Sequence, residues 1–245
     1  MGAIDEYLDL ARAHLARVQE SQREPLERGA RAIAHAIVAG GTVWATGSGH
    51  SALLAQEVFY RAGGLILVNF LPIPGTLLDQ RPAPMTSKLE KLPGLAAVVV
   101  QESPAKAGDV MIVISTSGRN AGPVDAALAA KEKGLAVIAL TSSAYAGDPS
   151  RHPSGKTLAQ AADLVIDTEV PRGDAGLTVP GVPSPTGPLS GVVGAALMQA
   201  LMAGTMEELA RQGVAPPVFL SGNLPGGPEH NARLLGEYGE RLHYL

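Results

Sequence analysis

The sequence contains two stretches built on one plan. In each, an apolar strand-forming run ends in a turn of small hydroxyl and glycine residues and then enters a helix. The first is Thr42-Val43-Trp44-Ala45-Thr46 followed by Gly47-Ser48-Gly49-His50-Ser51. The second is Val110-Met111-Ile112-Val113-Ile114 followed by Ser115-Thr116-Ser117-Gly118-Arg119-Asn120. A strand that passes through a tight polar turn into a helix leaves backbone N–H groups free at the helix start, where the helix dipole also favours negative charge. Two such units in one sheet point to a site for a small phosphorylated ligand.

The rest of the chain continues the alternation. Ile4, Leu8, Leu15 and Val18 stand at helical spacing and predict a helix over 3–21. A second helix starts near Pro25 and is ended by Gly40-Gly41. Further helices are expected at 51–62 (closed by Gly63-Gly64), 122–133, 157–162, 189–212 and 229–242. Strands are expected at 42–46, 65–70, 110–115, 135–140 and 164–168. Residues 93–102 have strand propensity, but their place before Pro104 and Gly108-Asp109 favours a short helix. Residues 71–92, 169–188 and 214–228 read as Pro/Gly-rich loops, long enough to serve as lids or subunit contacts. Apolar strands alternating with helices predict an α/β fold with a parallel sheet, helices on both faces and ligands at the C-terminal strand ends. At this length one large α/β domain over 1–245 is expected ahead of two small ones.

Composition excludes several classes of function. The chain is 46% apolar and carries a net charge of -4 without a basic stripe, so nucleic acid is not expected as a partner. It has no cysteine, hence neither disulfides nor thiolate metal sites. Residues 1–22 are charged and amphipathic rather than signal-like, and no apolar run approaches the ~20 residues that span a bilayer. A cytoplasmic location and no membrane contact are the expectation. The six histidines are scattered, with no H-x-x-x-H pair, and no metal or other cofactor is expected.

Chemistry concentrates in the second turn. Ser115, Thr116, Ser117 and Asn120 put four polar side chains into six residues, whereas an ordinary helix N-cap needs one. Neither turn reads G-x-G-x-x-G, because Ala52 stands at the last glycine of the first, and there is no P-loop.

These motifs, with the strand Ala136-Val-Ile-Ala-Leu-Thr141, resemble the SIS (sugar isomerase) domain family over about residues 25–170. The phosphoheptose isomerases and a branch of predicted phosphosugar isomerases look most similar. That branch shares Arg151-His-Pro-Ser-Gly-Lys156 and Gly226-Gly-Pro-Glu-His-Asn231. The resemblance implies a three-layer αβα fold with a five-stranded, flavodoxin-like parallel sheet. It places Ser115, Thr116, Ser117 and Asn120 on the phosphate-binding loop, and Ser48 and Ser51 beside the sugar. It also implies a homodimer or homotetramer, whose sites are often completed by a histidine or glutamate of a neighbouring subunit.

The chain departs from the phosphoheptose isomerases at one position. Alignment on Ser51 puts Arg61 where those enzymes carry a catalytic glutamate, and Glu57 where they carry a histidine. Glu57 and Arg61 stand at i,i+4 spacing, which suits an intrahelical ion pair as well as a site role. Glu57 is still the best-placed carboxylate for moving a proton between adjacent carbons, the step an aldose–ketose isomerase needs. His50 faces the ligand or solvent. His230 caps the last helix or serves as a second acid/base group. Lys156 neutralises phosphate charge or is a solvated loop lysine. The expected function is therefore the binding of a sugar phosphate, with isomerisation of a hexose or amino-sugar phosphate. The alternatives are an etherase or deaminase on the same fold, and a non-catalytic phosphosugar sensor.

Overall fold

A computed structural model describes residues 2–244; the two ends of the expected 1–245 unit, Met1 and Leu245, lie outside them. Helices α1 (Ala3–Ser21) and α2 (Arg23–Val38) lead into strand β1 (Val43–Gly47) and helix α3 (His50–Glu57). Strand β2 (Val68–Phe70) is followed by helices α4 (Pro84–Leu89) and α5 (Leu95–Glu102). Then come β3 (Val110–Ile114), α6 (Ala121–Glu132), β4 (Ala136–Thr141), α7 (Leu158–Ala161) and β5 (Leu164–Asp167). Two helices, α8 (Ser190–Arg211) and α9 (Gly227–Tyr238), close the chain.

The five strands form one parallel sheet in the order β2-β1-β3-β4-β5, the flavodoxin-like arrangement the resemblance implied. Strand residues alternate between two cores, as a period of two requires. Val43, Ala45, Val110, Ile112, Ile114, Ile138 and Leu140 meet Ile33, Leu54, Val193 and Leu201 on one face. Trp44, Met111, Val113, Val137 and Ala139 meet Val100, Ala126, Ala130 and Leu158 on the other. Burial on both faces explains why the strands read as unbroken apolar runs. Each such Val, Leu or Ile contributes about 1.5–3 kcal/mol by leaving water. Beneath the sheet, Asp109 is 1% exposed and ties β1 to β3. Its carboxylate accepts from Thr42 N (2.8 Å), Trp44 Nε1 (3.1 Å) and Lys106 N (2.9 Å).

The structure shifts several expected bounds, the strand expected at 65–70 starting only at Val68 and the helix expected at 229–242 ending at Tyr238, and two departures bear on the site. The helix expected over 51–62 stops at Glu57. Beyond it Tyr60 takes a positive φ of 42°, and Phe59 and Tyr60 pack edge-on against Tyr244. That aromatic contact, far away in sequence, outweighs local helix propensity. Arg61 thus lies past the helix end, so the Glu57–Arg61 pair is not on one helical face. The second correction is α4, which occupies part of the 71–92 segment read as loop; Pro84 begins it, as the first turn of a helix allows. Residues 93–102 do contain the expected short helix. Among the described residues, no helix is long and apolar enough to cross a membrane.

Candidate functional site

The strand order reverses between β1 and β3, and in open parallel sheets this switch opens a crevice at the C-terminal strand ends. In register, Gly47 pairs with Ile114, so the two hydroxyl turns leave the sheet side by side and at one level. Above them lies a cleft of about 860 Å³. Ser48, His50, Ser51 and Glu57 line it from the first turn and α3. Ser115, Thr116, Ser117 and Asn120 line it from the second turn.

The second turn is held by contacts that leave its hydroxyls free. Gly118 takes φ 61° and donates its N–H to Ser115 Oγ at 3.2 Å. Its carbonyl accepts from Leu158 N at 2.7 Å, and Thr116 O accepts from Ser142 N at 3.0 Å. Among the described residues, neither Thr116 Oγ1 nor Ser117 Oγ makes a hydrogen bond. Asn120 stands at the N-cap of α6 but its side chain does not cap the helix. Instead its Oδ1 accepts from Arg151 Nη1 at 3.0 Å. The ordinary capping role considered for this cluster is therefore not the one Asn120 plays.

The loop after β4 explains the Arg151–Lys156 motif. Beside the Arg151 contact, His152 Nε2 meets Asp125 Oδ1 at 2.9 Å, with both side chains nearly buried. Asp125 Oδ2 accepts from Gly94 N at 2.7 Å, so one carboxylate joins α6, the start of α5 and this loop. Lys156 is exposed and does not line the cleft.

On the first turn, Gly49 N donates to Thr76 O at 2.8 Å and a Cβ on Gly47 would meet the Ser51 backbone at 2.8 Å. The turn therefore brings Ser48 and Ser51 close over the strand end. His50 is exposed at the cleft rim. At the other end of α3, Arg61 Nη1 donates to Glu57 O at 3.0 Å, satisfying a carbonyl at the helix terminus, and also pairs with Glu57 Oε1. Gln199 Nε2 approaches Glu57 Oε1 at 3.3 Å. Arg61 does not line the cleft.

His230 is not brought to this cleft. It lies in the first turn of α9, and its Nε2 is 3.0 Å from Val218 O. The neighbouring Asn231 bonds the Leu220 backbone in both directions, donating to its O and accepting from its N, each at 2.9 Å.

Sequence reasoning missed several residues of the cleft: Tyr7, Glu90, Tyr145, Asp174 and Ser190. Asp174 accepts from Leu189 N (3.0 Å), Ser190 N (2.8 Å) and Ser190 Oγ (2.5 Å), and so caps α8 from a distance. Tyr7 OH donates to Pro188 O at 2.8 Å, tying the 169–188 loop to α1. That loop was expected as a lid or a subunit contact; Gly173, Asp174 and Pro188 from it form a wall of the cleft. The one local signal was its length. Among the described residues, no lysine or arginine lines the cleft, so an anion there meets neutral hydroxyl and amide donors.

The SIS domain family profile matches residues 6–142. A UPF0309 protein of Streptomyces coelicolor is 47% identical over 241 residues, spanning 98% of this chain and 96% of its own. A UPF0309 protein of Geobacillus kaustophilus is 42% identical over 243 residues, spanning 99% and 96%. Among solved structures, the phosphoheptose isomerase from Neisseria gonorrhoeae superposes with a TM-score of 0.58 at 19% identity, covering 84% of this chain and 97% of its own. A phosphoheptose isomerase from Francisella tularensis gives 0.57 at 16% identity, covering 83% and 96%. The Vibrio vulnificus NanR protein complexed with ManNAc-6P gives 0.51 at 16% identity, covering 97% and 67%. These structural likenesses establish a shared fold.

Proposed function

Because this chain belongs to the SIS domain family and groups with its UPF0309 relatives, we propose that its cleft binds a sugar phosphate and isomerises it between aldose and ketose. The observation that carries the binding half is the state of the second turn. Among the described residues, Thr116 and Ser117 keep unbonded hydroxyls at the cleft, and Arg151 Nη1 donates to the Asn120 amide beside them. Hydroxyls are donors a phosphate takes, and they carry the binding here, since Gly122 N at the start of α6 already donates to Glu90 O and Pro123 has no N–H. A fold relative solved with ManNAc-6P supports the same reading.

The sugar then extends toward Ser48 and Ser51, with His50 at the rim. Isomerisation needs proton transfer at carbon and at oxygen. Glu57, which borders the cleft at the far end of α3, takes the transfers at oxygen and ring opening. A role for His230 requires a second copy to carry it in, since within one chain its ring faces Val218 O. We accordingly propose a homodimer or homotetramer acting in the cytoplasm. The substrate class is a hexose or amino-sugar phosphate.

One observation favours a second reading, a sensor without turnover: the carboxylate of Glu57 is already engaged by Arg61 and Gln199. Thermal unfolding against glucose 6-phosphate, fructose 6-phosphate and glucosamine 6-phosphate, with the free sugars as controls, tests binding. Native-state ligands raise the midpoint. A midpoint that no sugar phosphate moves at millimolar concentration overturns both readings. Deuterium appearing at C2 of the recovered aldose phosphate separates the enzyme from the sensor.

A further inference from the structure

We propose that Glu90 is the base that takes the proton from the substrate carbon; this rests on the isomerase reading above. Among the described residues, three acidic residues line the cleft: Glu57, Glu90 and Asp174. Two already have partners. Glu57 is paired with Arg61 and approached by Gln199. Asp174 accepts three hydrogen bonds at the start of α8. A carboxylate whose oxygens already receive donors has fewer lone pairs open to a substrate proton. Among the described residues, the Glu90 carboxylate makes no ion pair and no hydrogen bond.

Its position is nevertheless fixed. Glu90 follows α4 directly, its N–H donating to Thr86 O at 3.0 Å and its carbonyl accepting from Gly122 N at 2.8 Å. The side chain lies over the first turn of α6, with Cγ 3.6 Å from where a Cβ on Gly122 would stand. It also lines the narrow crevice that runs beneath Ser48, between the two turns. A sugar whose phosphate rests on Ser115–Asn120 and whose body points to Ser48 therefore passes Glu90. A backbone pinned at two points with an unengaged carboxylate facing the cleft suits a proton carrier, whose reach must be set while its lone pairs stay free.

The step balances without any co-reactant. Glu90 takes the C2 hydrogen of the open-chain aldose as a proton. The C–H electron pair forms the C1–C2 double bond, and the carbonyl pair moves to O1, which gains a proton. The resulting enediol receives the Glu90 proton at C1, O2–H gives up its proton, and C2=O forms. The protons on O1 and O2 exchange with water, so one is gained and one is lost.

The test uses the full chain and three proteins: wild type, Glu90→Gln and Glu90→Asp. Each is incubated in D₂O with glucose 6-phosphate and glucosamine 6-phosphate, and deuterium at C2 is followed by NMR. Thermal shift by the same compounds reports folding and binding. We expect Glu90→Gln to lose exchange by about 100-fold or more while its thermal shift is kept, the scale on which positioned acid–base groups act. Glu90→Asp should regain part of the rate, which a merely structural role would not explain. Exchange by Glu90→Gln at the wild-type rate overturns the assignment of Glu90 and leaves the isomerase reading standing. No exchange by the wild type with sugar phosphates that do shift its midpoint overturns both.

Discussion

Arg151 donates a hydrogen bond of 3.0 Å to Asn120 Oδ1 from a loop 31 residues further along the chain. The start of α6 offers Asn120 no cap partner, because Gly122 N donates to Glu90 O and Pro123 has no N–H, and its amide meets the loop instead. Replacing Arg151 by Met removes the contact that sets the Asn120 amide at the edge of the cleft. One net hydrogen bond is worth about 1 kcal/mol, so affinity for glucose 6-phosphate should fall about fivefold. Calorimetric titration measures this, and an unchanged dissociation constant would remove Arg151 from the site.

Ser117 lines the cleft, and among the described residues its hydroxyl makes no hydrogen bond. Hydrogen bonds to charged groups contribute about 1.5–3 kcal/mol, so Ser117→Ala should weaken phosphorylated sugars by at least about tenfold. Free sugars should lose far less. Equal losses for glucosamine and glucosamine 6-phosphate would show that Ser117 does not meet the phosphate.

Gly118 sits at φ 61°, and a Cβ there would stand 2.9 Å from Thr141 Oγ1 and 3.2 Å from Leu158 Cβ. Gly118→Ala meets both the backbone strain and the crowding. A cost of about 1–3 kcal/mol is expected from a left-handed non-glycine residue in a packed turn. The urea midpoint of unfolding should fall without a change in slope. A wild-type midpoint would mean that the turn has room to shift.

Glu208 in the last turn of α8 is held down to about 2 from its ordinary 4.5 by hydrogen bonds from Arg211 and Gln212, against a smaller opposing effect of burial. A carboxylate lowered in the folded state stabilises the protein fully above its unfolded value. That contribution is lost as the pH falls through the folded value. Glu208→Gln should therefore be less stable than wild type at neutral pH, with the gap closing between about pH 4.5 and pH 2. Melting temperatures across that range provide the measurement. A gap independent of pH would assign the loss to packing instead of charge.

The phosphate turn was legible because its signals are local. Four polar side chains within six residues, after five apolar ones and before a helix, fix a strand end, a tight turn and a helix start. The short helix at 95–102 was legible for a similar reason, since the segment stands just before Pro104 and Gly108-Asp109. The length of α3 was not. Its end is set by Phe59 and Tyr60 meeting Phe219 and Tyr244, partners more than 150 residues away in the chain. Glu90 carried no signal either, being one charged residue in a proline-rich stretch without periodicity.

The sequence by itself determined the parallel α/β fold and the place where an anion can be held. Strand, turn and helix are written in neighbouring residues, and doubly buried strands need apolar side chains throughout. The tertiary structure alone decided which acidic groups face that place and in what state. Among the described residues it left the Glu90 carboxylate without a partner, tied Glu57 to Arg61, set Asp174 at the start of α8 and turned His230 toward Val218. Those choices depend on how long loops cross the ends of the sheet, and a side chain's partners there come from distant segments whose approach no local period encodes.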